Sequence, residues 1–112
     1  MKRPEVLRKK EDFDKLRSKG KSVGGRYAVM VYLENGLDHN RKAFLASKKV
    51  GNSVQRHRAM RLMRESYRLI EKERMVPEGI DFLFIARPAI NDSKCADVKK
   101  NIEAAMRNAG II

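Results

Sequence analysis

Five arginines or lysines and a histidine recur between residues 57 and 72 at spacings that gather them on one side of a helix. With Arg56 set at 0° and about 100° per residue, Arg64, His57, Arg68, Arg61, Lys72 and Arg58 fall between about 80° and 200°. Glu65 is the one acid in that sector. A solvated helix laced with i,i+4 ion pairs needs interleaved acids, and one glutamate cannot serve five cations. Self-repulsion on this scale is tolerated where a polyanion neutralises it. The planar guanidinium fork matches phosphate oxygens better than a lysine point charge does. Arg56, near the apolar edge in the first turn, stands beside the free N–H groups of the helix start. The chemistry this pattern offers is phosphate binding.

The opposite half of the same helix is apolar. Leu69, Leu62, Ser66, Ala59, Ile70, Met63, Tyr67 and Met60 cover about 220° to 40°, and only Ser66 and the ends interrupt them. Such a face packs against a core, whereas an interfacial membrane helix would turn large apolar residues toward lipid. Gly51-Asn52-Ser53 supplies the start: Asn52 as N-cap puts Gln55 at the third helical position, a capping-box arrangement. The helix is expected over residues 53–74.

The remaining elements must hold that helix. Residues 9–19 read as a short helix with Phe13 and Leu16 on one side and Glu11 and Asp12 near its start, where the helix dipole favours acids. Gly20, Gly24 and Gly25 interrupt the pattern. Residues 26–33 (RYAVMVYL) alternate as a strand, with Tyr27, Val29, Val31 and Leu33 on one face and Ala28, Met30 and Tyr32 on the other. Asn35-Gly36 marks a turn, and residues 41–47 (RKAFLAS) read as the second strand of a hairpin. Residues 80–86 (IDFLFIA) are nearly all apolar, as in a strand buried on both faces. Asn91-Asp92-Ser93 can cap a last helix with Val98, Ile102, Ala105 and Ala109 on its apolar side and Gly110 at its end. The order is α-β-β-α-β-α, an α/β (α+β) two-layer sandwich with a small mixed sheet.

The whole chain has 112 residues and a net charge of +12, which fits one domain, residues 1–112, that binds a polyanion. The charge is segregated. Residues 1–26 carry +6, residues 27–40 carry −2, residues 41–74 carry +8 and residues 75–112 carry none. Decoration for solubility needs no such division. Hydrophobic residues make up 42% of the chain, enough for a core and too many for a disordered basic tail. No run approaches a membrane span, and the first residues lack the apolar region of a signal peptide. A cytoplasmic protein with no membrane association is expected. Its single cysteine excludes an internal disulfide and a cysteine-based metal cluster.

Catalytic arrangements do not emerge. Ser53 and His57 stand at i,i+4 but read as helix-entry residues. There is no paired-carboxylate or Ser-His-Asp pattern, so no catalytic and no metal-binding residues are assigned. His39 reads as exposed loop, and Cys95 as incidental despite its place near a helix start. Phe44, Phe82, Phe84 and Ile85 read as core. In a generic helix Phe13 would also be core.

The segment KKVGNSVQRHRAMRLMRESYR, residues 48–68, resembles the signature of the bacterial ribonuclease P protein subunit. Lys48-Lys49-Val50-Gly51-Asn52 leads to Arg56-His57-Arg58, where the family has an Arg-Asn-Arg core, and Arg61-Leu62 and Arg64-Glu65 follow. The likeness runs upstream through LRKKEDFDKLRSKG and RYAVMVYL and downstream through DFLFIARP, in order and spacing.

The resemblance implies a protein that assembles with a catalytic RNA, itself the catalyst and the holder of the Mg²⁺ ions. Together they remove the 5′ leader of precursor tRNA by phosphodiester hydrolysis. It also implies a left-handed β-α-β crossover, against the usual hand, and a monomer within the ribonucleoprotein. Carried over by position, Lys48, Lys49, Asn52, Arg56, His57, Arg58, Arg61, Arg64 and Arg68 would face the catalytic RNA. Phe13 would line a separate cleft for the single-stranded leader. His57 stands where the family has Asn, Met60 where Lys is common, Arg17 where a second cleft aromatic is common and Val31 where a strand aromatic is common. Arg17 can stack on a base through its guanidinium plane, and Tyr27 or Tyr32 can supply the missing ring, depending on strand register. Two other readings are a general RNA-binding module of the accessory ribosomal type and a protein-only nuclease. The second would need a carboxylate cluster for Mg²⁺.

Overall fold

The apolar run at 80–86 decides the architecture. In the computed structural model, which describes residues 6–112, it forms the strand Ile80–Ala86, buried along almost its whole length. A strand with apolar side chains on both faces belongs at the centre of a sheet covered on both sides. Helix α1 is Lys10–Lys19, followed by strands β1 (Lys21–Gly24), β2 (Ala28–Glu34) and β3 (Arg41–Leu45). Helix α2 is Ser53–Glu73, Ile80–Ala86 is β4, a 3₁₀ turn covers Pro88–Asp92, and α3 is Cys95–Asn108. The sheet order is β1-β2-β4-β3, antiparallel except for the parallel β3–β4 pair. Lys2 and Arg3 of the basic N-terminal segment lie outside the described residues.

The expected hairpin of residues 26–33 with 41–47 does not form. β4 lies between the two strands and pairs with both, Met30 opposite Phe84 on one side and Phe44 opposite Phe84 on the other. The turn signal at Asn35-Gly36 is nonetheless used. Gly36 has φ +70°, and the Asn35 side chain accepts from Leu37 N at 2.7 Å. The loop then wraps over the entry to β4: Asn35 N donates to Gly79 O at 2.9 Å, and Ile80 N donates to the Asn40 side chain at 2.8 Å. The local turn chemistry was sound. The two-sided burial of β4 outweighed adjacency in sequence. The actual hairpin joins β2 to β1, a strand that the glycine-broken stretch KSVG concealed. β1 is short, lysine-bearing and largely exposed, as edge strands tend to be.

Each face of the sheet has its own core. Phe82 and Phe84 of β4 meet Ala59, Met63, Tyr67 and Ile70 of α2 and Val98, Ile102 and Met106 of α3. The rings of Tyr67, Phe82 and Phe84 lie 5.5–5.8 Å apart, within the range of favourable aromatic packing. Ser66, the polar interruption on the apolar face of α2, is buried where α3 begins. Its hydroxyl donates to Leu62 O at 2.7 Å, and Cys95 Sγ lies 3.7 Å away. On the other face, Leu83 packs with Leu7, Ala43 and Leu16 of α1, bordered by Phe13, Val31, Leu33, Leu45 and Ile85. Helix α1 thus adds a partial third layer to the expected sandwich.

The caps differ in outcome. The Asn52–Gln55 capping box is present, with Gln55 N to Asn52 Oδ1 and Asn52 N to Gln55 Oε1 both at 2.9 Å. Asn91-Asp92-Ser93 does not cap the last helix. Those residues finish the 3₁₀ turn, whose carbonyl at Ile90 accepts from Ser93 Oγ at 2.7 Å. α3 starts two residues later, with Asp97 accepting from Lys94 N at 2.9 Å. His39 is also more enclosed than expected, with its Nε2 buried.

Candidate nucleic-acid interface

The basic face of α2 is built by its apolar one. Burial of Ala59, Met63, Tyr67 and Ile70 fixes the rotation of the helix, and the residues half a turn away must then face solvent. His57, Arg61, Arg64, Arg68 and Lys72 are all exposed. Lys48 and Lys49 are exposed on the turn that leads into the helix, held by Val50 N to Ser47 O at 3.0 Å and Gly51 N to Lys48 O at 3.2 Å. Val50 is buried, and its carbonyl accepts from the Asn91 side chain at 2.6 Å. The two lysines are therefore carried on an anchored turn. The oxygen of Asn52 is committed to the cap, which leaves its amide nitrogen as the donor it can offer to RNA.

Three of the arginines assigned to the catalytic-RNA face are hydrogen-bonded to neighbours within the chain. Arg58 is half-buried, and its guanidinium donates to Ile90 O at 3.3 Å and to Ser93 O at 2.6 Å. It docks the 3₁₀ turn on α2 rather than standing free on the basic face. Arg56 donates to Ser53 Oγ at 3.3 Å, and its Nε is buried. Arg68 pairs with Glu65 one turn earlier, and its hydrogen bond holds the Glu65 carboxyl below its ordinary value. Arg64 stacks its guanidinium 5.6 Å from the Phe44 ring centre. The least committed cations of the helix, Arg61 and Lys72, share its exposed face with His57.

A second site lies on the opposite side of the sheet. Phe13 and Arg17, one helical turn apart on α1, line a cavity of about 390 Å³ with Leu45 of β3 and with Arg8, Lys10 and Asp14. An aromatic ring, a guanidinium plane and further cations around an apolar floor can stack bases and hold the backbone of a single strand. Leu45, Arg8 and Lys10 were missed in the sequence. Strand alternation places Leu45 on this face with Ala43, but only the position of α1 makes it a floor.

Tyr27 and Tyr32 do not belong to this cleft. Val31 and Leu33 face α1, so Tyr32 points to the other face and packs against the α2–α3 core beside its cross-strand partner Lys21. Tyr27 precedes the strand. Its main-chain N–H donates to the Asn101 side chain at 2.8 Å, and its ring borders the same α2–α3 core. The period of two that separates the faces of a sheet decides against Tyr32. Tyr27, which alternation would group with Val31 and Leu33, lies before the strand begins at Ala28 and turns to the other face instead.

Helix α1 is fixed by a network the sequence did not disclose. Arg41 of β3 donates to Asp81 of β4 at 2.9 and 2.7 Å and to Asp12 of α1 at 3.3 Å through each of its terminal nitrogens. Asn35 adds a bond to Asp81 at 2.8 Å. The one clue was Asp81, a lone acid inside an apolar strand. Among the described residues no three His, Cys, Asp or Glu converge on a metal position, and no helix is long and apolar enough to cross a membrane.

The family model described as Ribonuclease P matches residues 1–110. A ribonuclease P protein component of Pelotomaculum thermopropionicum is 42% identical over 99% of this chain and 97% of its own. That of Caldanaerobacter subterraneus is 39% identical over 90% of this chain and 85% of its own. Among solved structures, the RNase P protein of Staphylococcus aureus superimposes with a TM-score of 0.83 at 27% identity, covering 97% of this chain and 98% of the other. The RNase P protein of Thermotoga maritima superimposes with a TM-score of 0.78 at 26% identity, covering 92% and 96%.

Proposed function

Because the chain belongs to the ribonuclease P protein family, we propose that it acts in the cytoplasm as one RNA-binding domain, a single copy per ribonucleoprotein. It uses its two basic faces for two RNA ligands. The exposed face of α2, with His57, Arg61, Arg64 and Arg68, and the turn that leads into it, with Lys48, Lys49 and Asn52, lie against the catalytic RNA. The Phe13–Arg17 cleft takes the single-stranded 5′ leader of precursor tRNA. The observation that supports the division is the sheet itself, which separates the two groups of cations onto opposite faces.

Charge and stacking are what this chain contributes. The arginine and lysine side chains neutralise phosphates that would otherwise repel one another as RNA helices pack, and release counterions as they do so. Phe13 and the Arg17 plane offer stacking surfaces to unpaired bases, while Arg8 and Lys10 stand ready for the leader backbone. Mg²⁺ belongs in this reading to the RNA subunit and supplies the hydrolytic chemistry there. The protein holds substrate and RNA in register and leaves bond cleavage to the RNA.

Reconstitution tests the reading. Purified protein is mixed with a bacterial ribonuclease P RNA at low Mg²⁺, and 5′ cleavage of precursor tRNA is followed. Stimulation over RNA alone is expected. Absence of stimulation overturns the proposal, and cleavage by the protein without RNA points instead to a protein-only nuclease.

A further inference from the structure

The cleft between α1 and the sheet has an apolar floor and a polar hinge. Leu16 is fully buried, and Phe13, Val31, Leu33 and Leu45 pack around it. Contacts of that kind hold a helix against a sheet without fixing its angle, because apolar attraction has no preferred direction. The helix is also short, ten residues, and its N-cap Lys9 makes no side-chain cap bond. A helix of that length depends on tertiary contacts for its stability and placement. Leu7 N donates to Lys42 O at 3.0 Å and ties the segment before the helix to β3. Within α1, among the described residues, the directional contact to the sheet comes from Asp12, the residue next to Phe13.

We propose that Arg41 and Asp12 form a clamp that sets the angle of α1 on the sheet, making both of them positioning residues for the leader. This rests on the assignment of the Phe13–Arg17 cleft to the leader. The guanidinium of Arg41 is held first by Asp81, which is 5% exposed and receives bonds of 2.9 and 2.7 Å. Asn35, bonded to the same carboxylate, stiffens that anchor. What remains of the fork reaches α1 through two bonds to the two oxygens of Asp12, both at 3.3 Å. The inner half of the clamp is thus short and buried, and the outer half is longer and nearer to solvent.

Bidentate geometry is what makes the contact orienting. A fork bound to both oxygens of one carboxylate fixes a plane as well as a distance. Asp12 is in the first turns of α1, so that plane sets where Phe13 projects and, one turn further, where Arg17 does. On β3, Arg41, Ala43 and Leu45 share the face under α1, so the strand that carries the clamp also carries the cleft floor. Lysine at position 41 would keep the charge and lose the fork. Neither residue touches the face of α2, and a loss of the outer bond leaves that face where it is.

The experiment uses the full chain assembled with catalytic RNA and compares precursor with mature tRNA. Three variants are made: Asp12→Asn, Asp12→Glu and Arg41→Lys. For Asp12→Asn the preference for precursor over mature tRNA should fall about tenfold, since a displacement of about 1 Å in a positioning element can cost more than that. Affinity for the catalytic RNA and for mature tRNA should stay unchanged. Asp12→Glu, which restores a carboxylate able to take the fork, should recover most of the preference, and Arg41→Lys should lose it. An undiminished preference in Asp12→Asn, or equal losses for both tRNA ligands, overturns the clamp. If the unmodified protein itself shows no preference for precursor, the leader assignment has failed and the clamp falls with it. That failure is visible in a different arm of the experiment.

Discussion

Arg58 donates from a terminal guanidinium nitrogen to the main-chain carbonyl of Ser93 at 2.6 Å. The pair joins the arginine helix to the turn that precedes α3, and it separates two arginines that the helical wheel treats alike. Arg58→Ala leaves the carbonyls of Ser93 and Ile90 without this donor, at a cost of about 1–3 kcal/mol. Each kcal/mol lowers the melting temperature of a domain near this size by about 4–8 °C. Arg61→Ala, on the exposed face, should leave the melting temperature unchanged and weaken binding to the catalytic RNA. Thermal unfolding of the two variants side by side checks this.

Binding to the catalytic RNA should weaken steeply with salt. Neutralising about six phosphates predicts a log–log slope of roughly −4 to −5 on duplex-like RNA. Removing Arg61 and Arg64 together should make the slope shallower by about two phosphate contacts. A salt titration of the binding constant reads both.

Phe13→Ala should weaken precursor tRNA binding by about 1–3 kcal/mol, the usual worth of a base–aromatic stack, and spare mature tRNA. Tyr32→Ala should leave the difference between the two ligands unaltered, because its ring lies on the other face of the sheet. The measurement is the ratio of the two dissociation constants in each variant.

Gly51 adopts φ +143°, and a Cβ there would collide with the Gln55 side chain that completes the cap. Gly51→Ala should therefore cost about 1 kcal/mol or more through strain and loss of the capping bond. It should also loosen the turn that carries Lys48 and Lys49. Denaturant unfolding reports the first effect and affinity for the catalytic RNA the second.

A pH-dependent contribution comes from Glu103. Burial opposes its ionisation, but the hydrogen bond from Arg74 and the charges of Lys99 and Arg74 outweigh this and hold its carboxyl below the ordinary value. A carboxylate held low stabilises the folded state fully above its unfolded value, about 4.3, and loses that contribution as the pH falls through the folded value. The melting temperature of the unmodified protein should exceed that of Glu103→Gln at neutral pH, and the gap should close below about pH 4.

Much of this was legible because local signals and burial agreed. The Asn52–Gln55 cap, the rotation of α2 and the central strand at 80–86 each followed from residue types at short spacing. Where distant segments competed, the sequence was silent. Nothing in RYAVMVYL or RKAFLAS announces that a strand arriving some fifty residues after the first will slip between them. Nothing in Arg58 distinguishes it from Arg61 until the turn at Ile90–Ser93 is folded against it. Tyr32 was left undecided for a related reason. Alternation assigns side chains to two faces, but which face receives α1 is a tertiary fact. The clamp was hidden most fully, since Asp12, Arg41 and Asp81 come from three separate elements.

The insertion of β4 between β2 and β3 also imposes an order of assembly. β1 and β2 can pair once the chain reaches Glu34, but among the described residues β3 has only the single bridge from Lys42 to Val6 until β4 has been made. During synthesis the whole of α2, with its arginines, leaves the ribosome before the strand that completes its hydrophobic bed. For that interval the most cationic segment of the protein is tethered to the translation machinery with its apolar side uncovered. Non-local pairing of this kind is slow, so this interval is one in which the nascent chain is exposed both to aggregation and to stray RNA. A chain that stops at residue 75 retains the arginine helix but lacks the strand that would organise it.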